Sequence, residues 1–183
     1  WKRFKLCVDS VSRLVNKNHQ DILVPLGLFN RGRGFFKKSE TSYDELGESS
    51  FSFVQKNDLV FSGQFAWEGA LGIVSDKENG CIVSHRYPVY KPKKGVKSEY
   101  LFAYFRSHHG KFLMENCSRG AAGRNRPLNT NLLEKVKIPI PNEKIQDEIK
   151  KIITIEWELK NNLIPSIENL KEYKMNLINQ IIT

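Results

Sequence analysis

FSFVQKNDLVFSGQFAWEGALGIVSDKENGCIVS, residues 51–84, is the stretch that decides the fold class. Its apolar runs, Phe51 to Val54, Leu59 to Phe61, Leu71 to Val74 and Cys81 to Val83, are separated by Asn-Asp, Gly-Gln, Asp-Lys and Asn-Gly turn signals. Short β-prone runs punctuated in this way predict strands joined in series, a β-meander. Upstream, Lys5 to Val15 places Leu6, Val8, Val11, Leu14 and Val15 near a helical period and predicts a short first helix. Ile22-Leu23-Val24 reads as a buried strand, and Asn30 to Gly34 as a glycine-containing loop that carries two arginines. Downstream, Glu99 to His108 returns to helical spacing, Ser118 to Pro127 is a loop rich in glycine and arginine, and Val136 to Pro141 suits an edge strand interrupted by prolines. The class is α+β, a mixed α/β globular lobe over residues 1–141.

From Asn142 to Thr183 the pattern changes. Asn142 follows Pro141 as an N-cap candidate, and one heptad position falls at Ile149, Glu156, Leu163, Leu170 and Leu177. The companion position gives Ile152, Leu159, Ser166, Tyr173 and Gln180, with Ile153, Ile167 and Ile181 widening the stripe. A helix of about 40 residues would extend about 60 Å, too far to pack wholly on its own lobe, so a coiled-coil partner is expected. Its contact residues would be Ile149, Ile152, Leu159, Leu163, Leu170, Tyr173 and Leu177. Pro165 leaves two forms open, one kinked helix or two collinear segments. A tail folded back on its own sheet is the alternative to a partner.

Charge divides the chain at the same place. Lys and Arg outnumber Asp and Glu by 23 to 13 up to Pro141, and stand at six against seven from Asn142 onward. A surplus this local points to a polyanionic partner, with nucleic acid first. At 183 residues and 40% hydrophobic content there is room for one sizeable core, and disorder is not expected. Cys7, Cys81 and Cys117 are odd in number and widely spaced, which makes neither a disulfide framework nor a zinc pattern. With no apolar run near the roughly 20 residues of a membrane span, a reduced, cytoplasmic setting is expected. No signal peptide is visible at Trp1, and the absence of an initiator Met there leaves an excised start open.

Several motifs in order carry a resemblance. Lys56 to Ser62 (KNDLVFS), Trp67 to Gly72 (WEGALG), Ser98 to Leu101 (SEYL), Ser118 to Leu128 (SRGAAGRNRPL) and Ile138 to Pro141 (IPIP) before a helix resemble a target recognition domain from the specificity subunit of type I restriction-modification enzymes. Leu170 to Thr183 (LKEYKMNLINQIIT) is similar to the end of that family's conserved helix, and Trp1 to Leu6 to the opening of its recognition domain. The glutamine-rich entry to the family's helix appears here as Asn142 to Gln146, and Pro165 interrupts the coiled coil. The resemblance implies a non-catalytic subunit without a cofactor that reads half of a bipartite double-stranded DNA site. Its helices would pair and dock the methyltransferase (modification) and restriction subunits. Full-length members carry two recognition domains and two helical regions, and this chain has one of each. It therefore resembles half of such a subunit, or a half-subunit completed by homodimerisation, and a two-fold dimer would demand an inverted-repeat target.

DNA-contact candidates follow from groove chemistry. Arg can be bidentate to guanine and Asn or Gln to adenine, whereas Lys and Arg on phosphates set orientation and salt dependence. Arg31, Arg33, Lys37 and Lys38 stand with no acid among residues 30–39, and Arg119, Arg124, Asn125 and Arg126 form the second basic loop, the better base readers. Each set also has a plain alternative, a solvated loop for the first and internal salt bridges for the second. Gln64 and Trp67 lie in the loop between two predicted strands, where Trp67 equally suits loop anchoring. His85 and Arg86 end a strand, and Lys91, Lys93, Lys94 and Lys97 read as a solvated turn.

Enzymatic readings find little support. There is no Walker pattern, Gly32-Arg33-Gly34 lacks the third glycine of a dinucleotide fingerprint, and no carboxylate cluster with a nearby lysine suits a metal nuclease. The adjacent His108 and His109 point to different sides of a helix, and no metal site is expected. A module for RNA or single strands, with a coiled-coil dimerisation tail, remains the alternative function, with Phe35, Phe36, Tyr87 and Tyr90 as stacking candidates.

Overall fold

The run Leu59-Val60-Phe61 is buried at all three positions because its strand is covered on both faces. In the computed structural model, which describes residues 1–16, 22–120 and 126–182, Leu59 and Phe61 face one hydrophobic cluster and Val60 faces another. Elements follow in chain order: β1 (Lys2–Arg3), the single-turn helix α1 (Phe4–Cys7), β2 (Val8–Ser10), β3 (Leu26–Leu28), β4 (Phe35–Lys37), β5 (Phe51–Phe53), β6 (Leu59–Phe61) and β7 (Leu71–Ile73). Then come β8 (Ile82–Ser84), β9 (Val89–Pro92), helices α2 (Ser98–Arg106), α3 (His108–Cys117) and α4 (Thr130–Lys135), β10 (Lys137–Ile138) and α5 (Glu143–Ile182). The fold is mixed α and β with antiparallel sheets and a long C-terminal helix, as the α+β reading expects.

The central sheet has the order β2-β9-β6-β7, and β1-β10, β3-β4 and β5-β8 are separate antiparallel pairs. All four strands expected within residues 51–84 form, but their pairing corrects the meander. β6 and β7 make a hairpin, whereas β5 skips both and pairs with β8, so the second pair encloses the first. The first helix is corrected too. After α1 the chain runs extended, with Val8 opposite Pro92 and Ser10 opposite Tyr90, because Leu6 and Leu14 face solvent and only Phe4, Cys7 and Val8 enter the main core. Ile22 is likewise exposed, and the strand of that region sits four residues later, at Leu26–Leu28.

Between the sheet and α2–α4 lies an aromatic centre. Phe4 meets Tyr90 and Phe105 edge-on at centroid distances of 5.1 and 5.3 Å, and Phe61 meets Phe105 at 5.3 Å, the arrangement that ring quadrupoles favour. The Asn-Asp turn before β6 is held by Asp58, which is 1% exposed yet fully partnered. Arg13 donates to both of its carboxylate oxygens at 2.6 and 3.2 Å, and the Gln55 amide donates at 2.8 Å.

Asn142 caps α5 as expected, its side-chain oxygen accepting from the Ile145 amide at 3.1 Å. The helix is continuous through Pro165, which settles the choice in favour of one helix rather than two. Its two halves divide the alternatives for the tail. The first half packs on the lobe: buried Gln146 donates to the carbonyls of Gly95 and Pro141 and accepts from the Lys97 amide, and Ile153 enters the core beside Ile149 and Trp157. Ile149 thus faces its own lobe, not the partner stripe, and Glu156 is paired with Arg106. Ile152, Ile155, Leu159, Leu163, Ile167 and Leu170 are exposed at spacings of three or four residues, a continuous apolar stripe on α5. Tyr173 and Leu177 lie farther along α5, and their side chains fall outside the described residues. Among the described residues no helix is long and apolar enough to cross a membrane.

The clamp between α2 and α5 is charged. Arg106 donates to both Glu156 oxygens at 2.8 Å, and Lys160 reaches the same carboxylate at 2.6 Å. The Arg106 bonds, with Lys160 second, hold the Glu156 carboxyl down at about 2. A depressed carboxyl stabilises the fold fully above its ordinary value near 4.5, and that stabilisation is lost as pH falls from there toward 2. Acid unfolding followed by circular dichroism should show Glu156→Gln with a shallower loss across this window, by on the order of 3 kcal/mol. An equally steep variant would remove the clamp from the account.

Candidate nucleic-acid interface

One loop, Ser62 to Gly69, brings together three of the segments that carry basic candidates. Ser62 is buried, and its hydroxyl accepts from the Gln64 and Phe65 amides at 3.3 and 3.1 Å, which turns the chain sharply after β6. A short 3₁₀ turn, Ala66–Glu68, follows, closed by Gly69 in the left-handed region. Main-chain bonds then tie three distant segments to this loop. The Gly63 amide donates to the Arg86 carbonyl at 2.7 Å, and Leu128 donates to the Gly63 carbonyl at 2.8 Å. Arg31 and Gly32 donate to the carbonyls of Glu68 and Gly69 at 3.0 and 2.7 Å. The segments that hold Arg31, Arg86 and Arg126 therefore meet at one place although they are far apart in sequence.

On one side of the loop is a groove of about 330 Å³ whose lining includes Lys38, Gln64, Phe65, His85 and Arg86. Four of these five are residues expected to contact DNA. Lys38, Gln64, His85 and Arg86 are exposed, and none of their side chains has a hydrogen-bond or ion-pair partner among the described residues. On the other side, Arg31 and Trp67 line a cleft with Arg106 and Lys111. The Arg126 guanidinium lies 4.8 Å above the Trp67 ring, which makes Trp67 a platform for a loop arginine rather than a free stacking surface.

The remaining candidates are dispersed. Arg33 folds over its own loop, donating to the Asn30 carbonyl at 3.1 Å with its guanidinium 5.0 Å from the Phe29 ring. Lys37 is exposed at the end of β4. Arg119 donates to Asn116 at 3.0 Å just past α3, and Arg124 and Asn125 lie outside the described residues. Lys93 and Lys97 are paired with Asp9 and Asp147. Of the stacking candidates for a single strand, Tyr90 is 1% exposed in the core and Tyr87 packs against the second cluster, where burial raises its hydroxyl above the ordinary range. Lys111 was not singled out in the sequence. Its sequence context is that of an ordinary helix lysine, because only tertiary placement brings it to this surface.

Three comparisons bear on this geometry. The family model described as "Type I restriction modification DNA specificity domain" matches residues 17–170. No curated protein matches the chain. Among solved structures, the HsdS subunit from Thermoanaerobacter tengcongensis superposes with a TM-score of 0.70 at 15% identity, covering 88% of this chain and 42% of its own. A chain from a structure concerned with complex assembly and conformational transition of the type I R-M system superposes with a TM-score of 0.68 at 14% identity, with the same two coverages. The likeness is one of fold, and this chain spans less than half the length of either neighbour.

Proposed function

The chain belongs to the family of type I restriction modification DNA specificity domains, and we propose that residues 1–141 read a short double-stranded DNA sequence, half of a bipartite site, without performing chemistry. Residues 142–183 serve assembly. Their exposed stripe pairs with a second helix, from another copy or from the other half of the same subunit, and the helical region docks the methyltransferase and restriction subunits in the cytoplasm.

The observation that carries this reading is the groove beside the Ser62–Gly69 loop. It sets an amide, a guanidinium, an imidazole and an ammonium side by side, all without internal partners among the described residues. Polar groups left to solvent, with no internal partner to give up, suit a partner that supplies base edges and phosphates. In this reading Gln64 serves as an adenine reader, Arg86 as a guanine reader and Lys38 as a phosphate anchor. Tyr90 is buried and Trp67 is covered by Arg126, whereas Phe36 and Phe65 are exposed, so the duplex reading rests on the polar groups of the groove and not on its aromatics.

Selection of bound duplexes from a random pool tests it. The wild-type chain should enrich one short motif. Gln64→Ala or Arg86→Ala should each relax a single base position at a cost of roughly 1–3 kcal/mol, while Lys37→Ala or Lys38→Ala weakens all sequences alike. Relaxed specificity from the lysines and uniform weakening from Gln64 and Arg86 would reverse the assignment.

A further inference from the structure

The cleft on the far side of the loop, about 540 Å³, is walled by Arg31, Trp67 and Glu68 from the loop region, Arg106 and Lys111 from α2 and α3, and Ile153 from α5. We propose that this cleft seats a backbone phosphodiester of the bound DNA between Arg31 and Lys111, a contact that rests on the DNA-reading role above.

The cations in the cleft are not equivalent. Arg106 is committed to Glu156 through two bonds of 2.8 Å, and its guanidinium also lies 4.8 Å over the Phe102 ring, so it forms a wall. Glu68 is engaged by the Asn30 amide group. Arg31 and Lys111 have no hydrogen-bond or ion-pair partner for their side chains among the described residues. The Trp67 indole nitrogen is buried without a partner there as well. With Glu156 shared between Arg106 and Lys160, Arg31, Arg106 and Lys111 against Glu68 leave the cleft net positive. A net positive cleft with two uncommitted cations suits the negative charge of a phosphodiester.

Arg31 is placed there at a backbone cost. It takes φ 61°, a left-handed conformation uncommon outside glycine, and bonds to Glu68 and Gly69 hold it and Gly32 in position. Gly32 packs so closely that a Cβ there would lie 2.7 Å from the Arg106 side chain. The cleft and the reading groove flank the same short loop, so a strand whose bases meet Gln64 carries phosphates past Arg31 and Lys111. Because Ile153 and the Arg106–Glu156 clamp belong to its walls and surroundings, the phosphate would rest where the lobe meets α5.

The test is fluorescence anisotropy of the full chain with a labelled duplex bearing the selected motif and with a random duplex, over a range of salt. Lys111→Gln and Arg31→Gln should each weaken both duplexes about 5- to 10-fold at low salt and lower the log–log salt slope by about 0.9, with melting unchanged. Lys111→Arg should restore the slope. Inorganic phosphate and ATP at millimolar concentration should displace neither duplex from the wild type. Unchanged affinity and slope in both Gln variants, with the wild type still selective, would refute the cleft and leave the reading groove standing. ATP binding to the wild type that Lys111→Gln abolishes would reassign the cleft to a free nucleotide and overturn the proposal. Failure of the wild type to select any duplex would overturn the cleft and the DNA-reading role together.

Discussion

Gly63→Val is expected to lower the melting temperature by about 6–12 °C and to abolish selective DNA binding. A Cβ at this position would stand 2.4 Å from the Arg86 carbonyl oxygen, a main-chain atom that cannot swing aside as a side chain can. The chain must then open the Gly63–Arg86 and Leu128–Gly63 bonds, and with them the contact of the loop with two of the segments that build the interface. Overpacking costs about 1–3 kcal/mol and each lost bond about 0.5–1.5 kcal/mol, so roughly 3 kcal/mol is a fair total. For a chain of this size each kcal/mol moves the melting temperature by about 2–4 °C. The binding loss exceeds what stability explains, because the groove residues Gln64 and Arg86 are positioned by those bonds. Calorimetry and a duplex-binding titration measure the two effects. A variant with wild-type melting and selectivity would show that the loop does not organise the interface.

Leu159→Asp or Leu163→Asp should separate assembly from recognition. Both residues are exposed on the single chain, at 49% and 52%, so a carboxylate there leaves the lobe folded and its DNA groove intact. Buried in a helix–helix seam, the same carboxylate costs about 3 kcal/mol or more, a loss of over 100-fold in association. Sedimentation should show a dimer becoming a monomer. Unchanged mass with lost capture of a methyltransferase subunit would assign the stripe to that subunit. Neither change would remove the stripe from assembly. Ile153→Asp makes the contrast: Ile153 is 5% exposed in the core, so that substitution should unfold the junction of lobe and helix.

The strands were legible where burial leaves a local trace. β6 and β7 are covered on both faces, so they read as uninterrupted apolar runs bounded by turn residues. Pairing was not legible, because nothing within Phe51–Phe53 or Ile82–Ser84 states that the two meet around an enclosed hairpin. The false first helix has a similar origin. Leu6, Val8, Val11 and Leu14 fall near helical spacing, but Leu6 and Leu14 are 59% and 64% exposed, and the chain gains more from the β2–β9 ladder. In the tail the heptad was visible, while the turning of one face from lobe to solvent was not, since Ile149 and Leu163 look alike in sequence. The interface was legible residue by residue, through side-chain chemistry in polar loops. Its assembly depends on main-chain bonds to Ser62–Gly69, which side-chain identity does not encode, and Lys111 enters only because α3 packs beside that loop.

Selection from a random duplex pool with the wild-type chain tests the central claim most directly. One enriched short motif is the result expected of a lobe that reads DNA through the groove at Lys38, Gln64, His85 and Arg86. A pool that emerges as random as it entered, at salt low enough for binding, would contradict it.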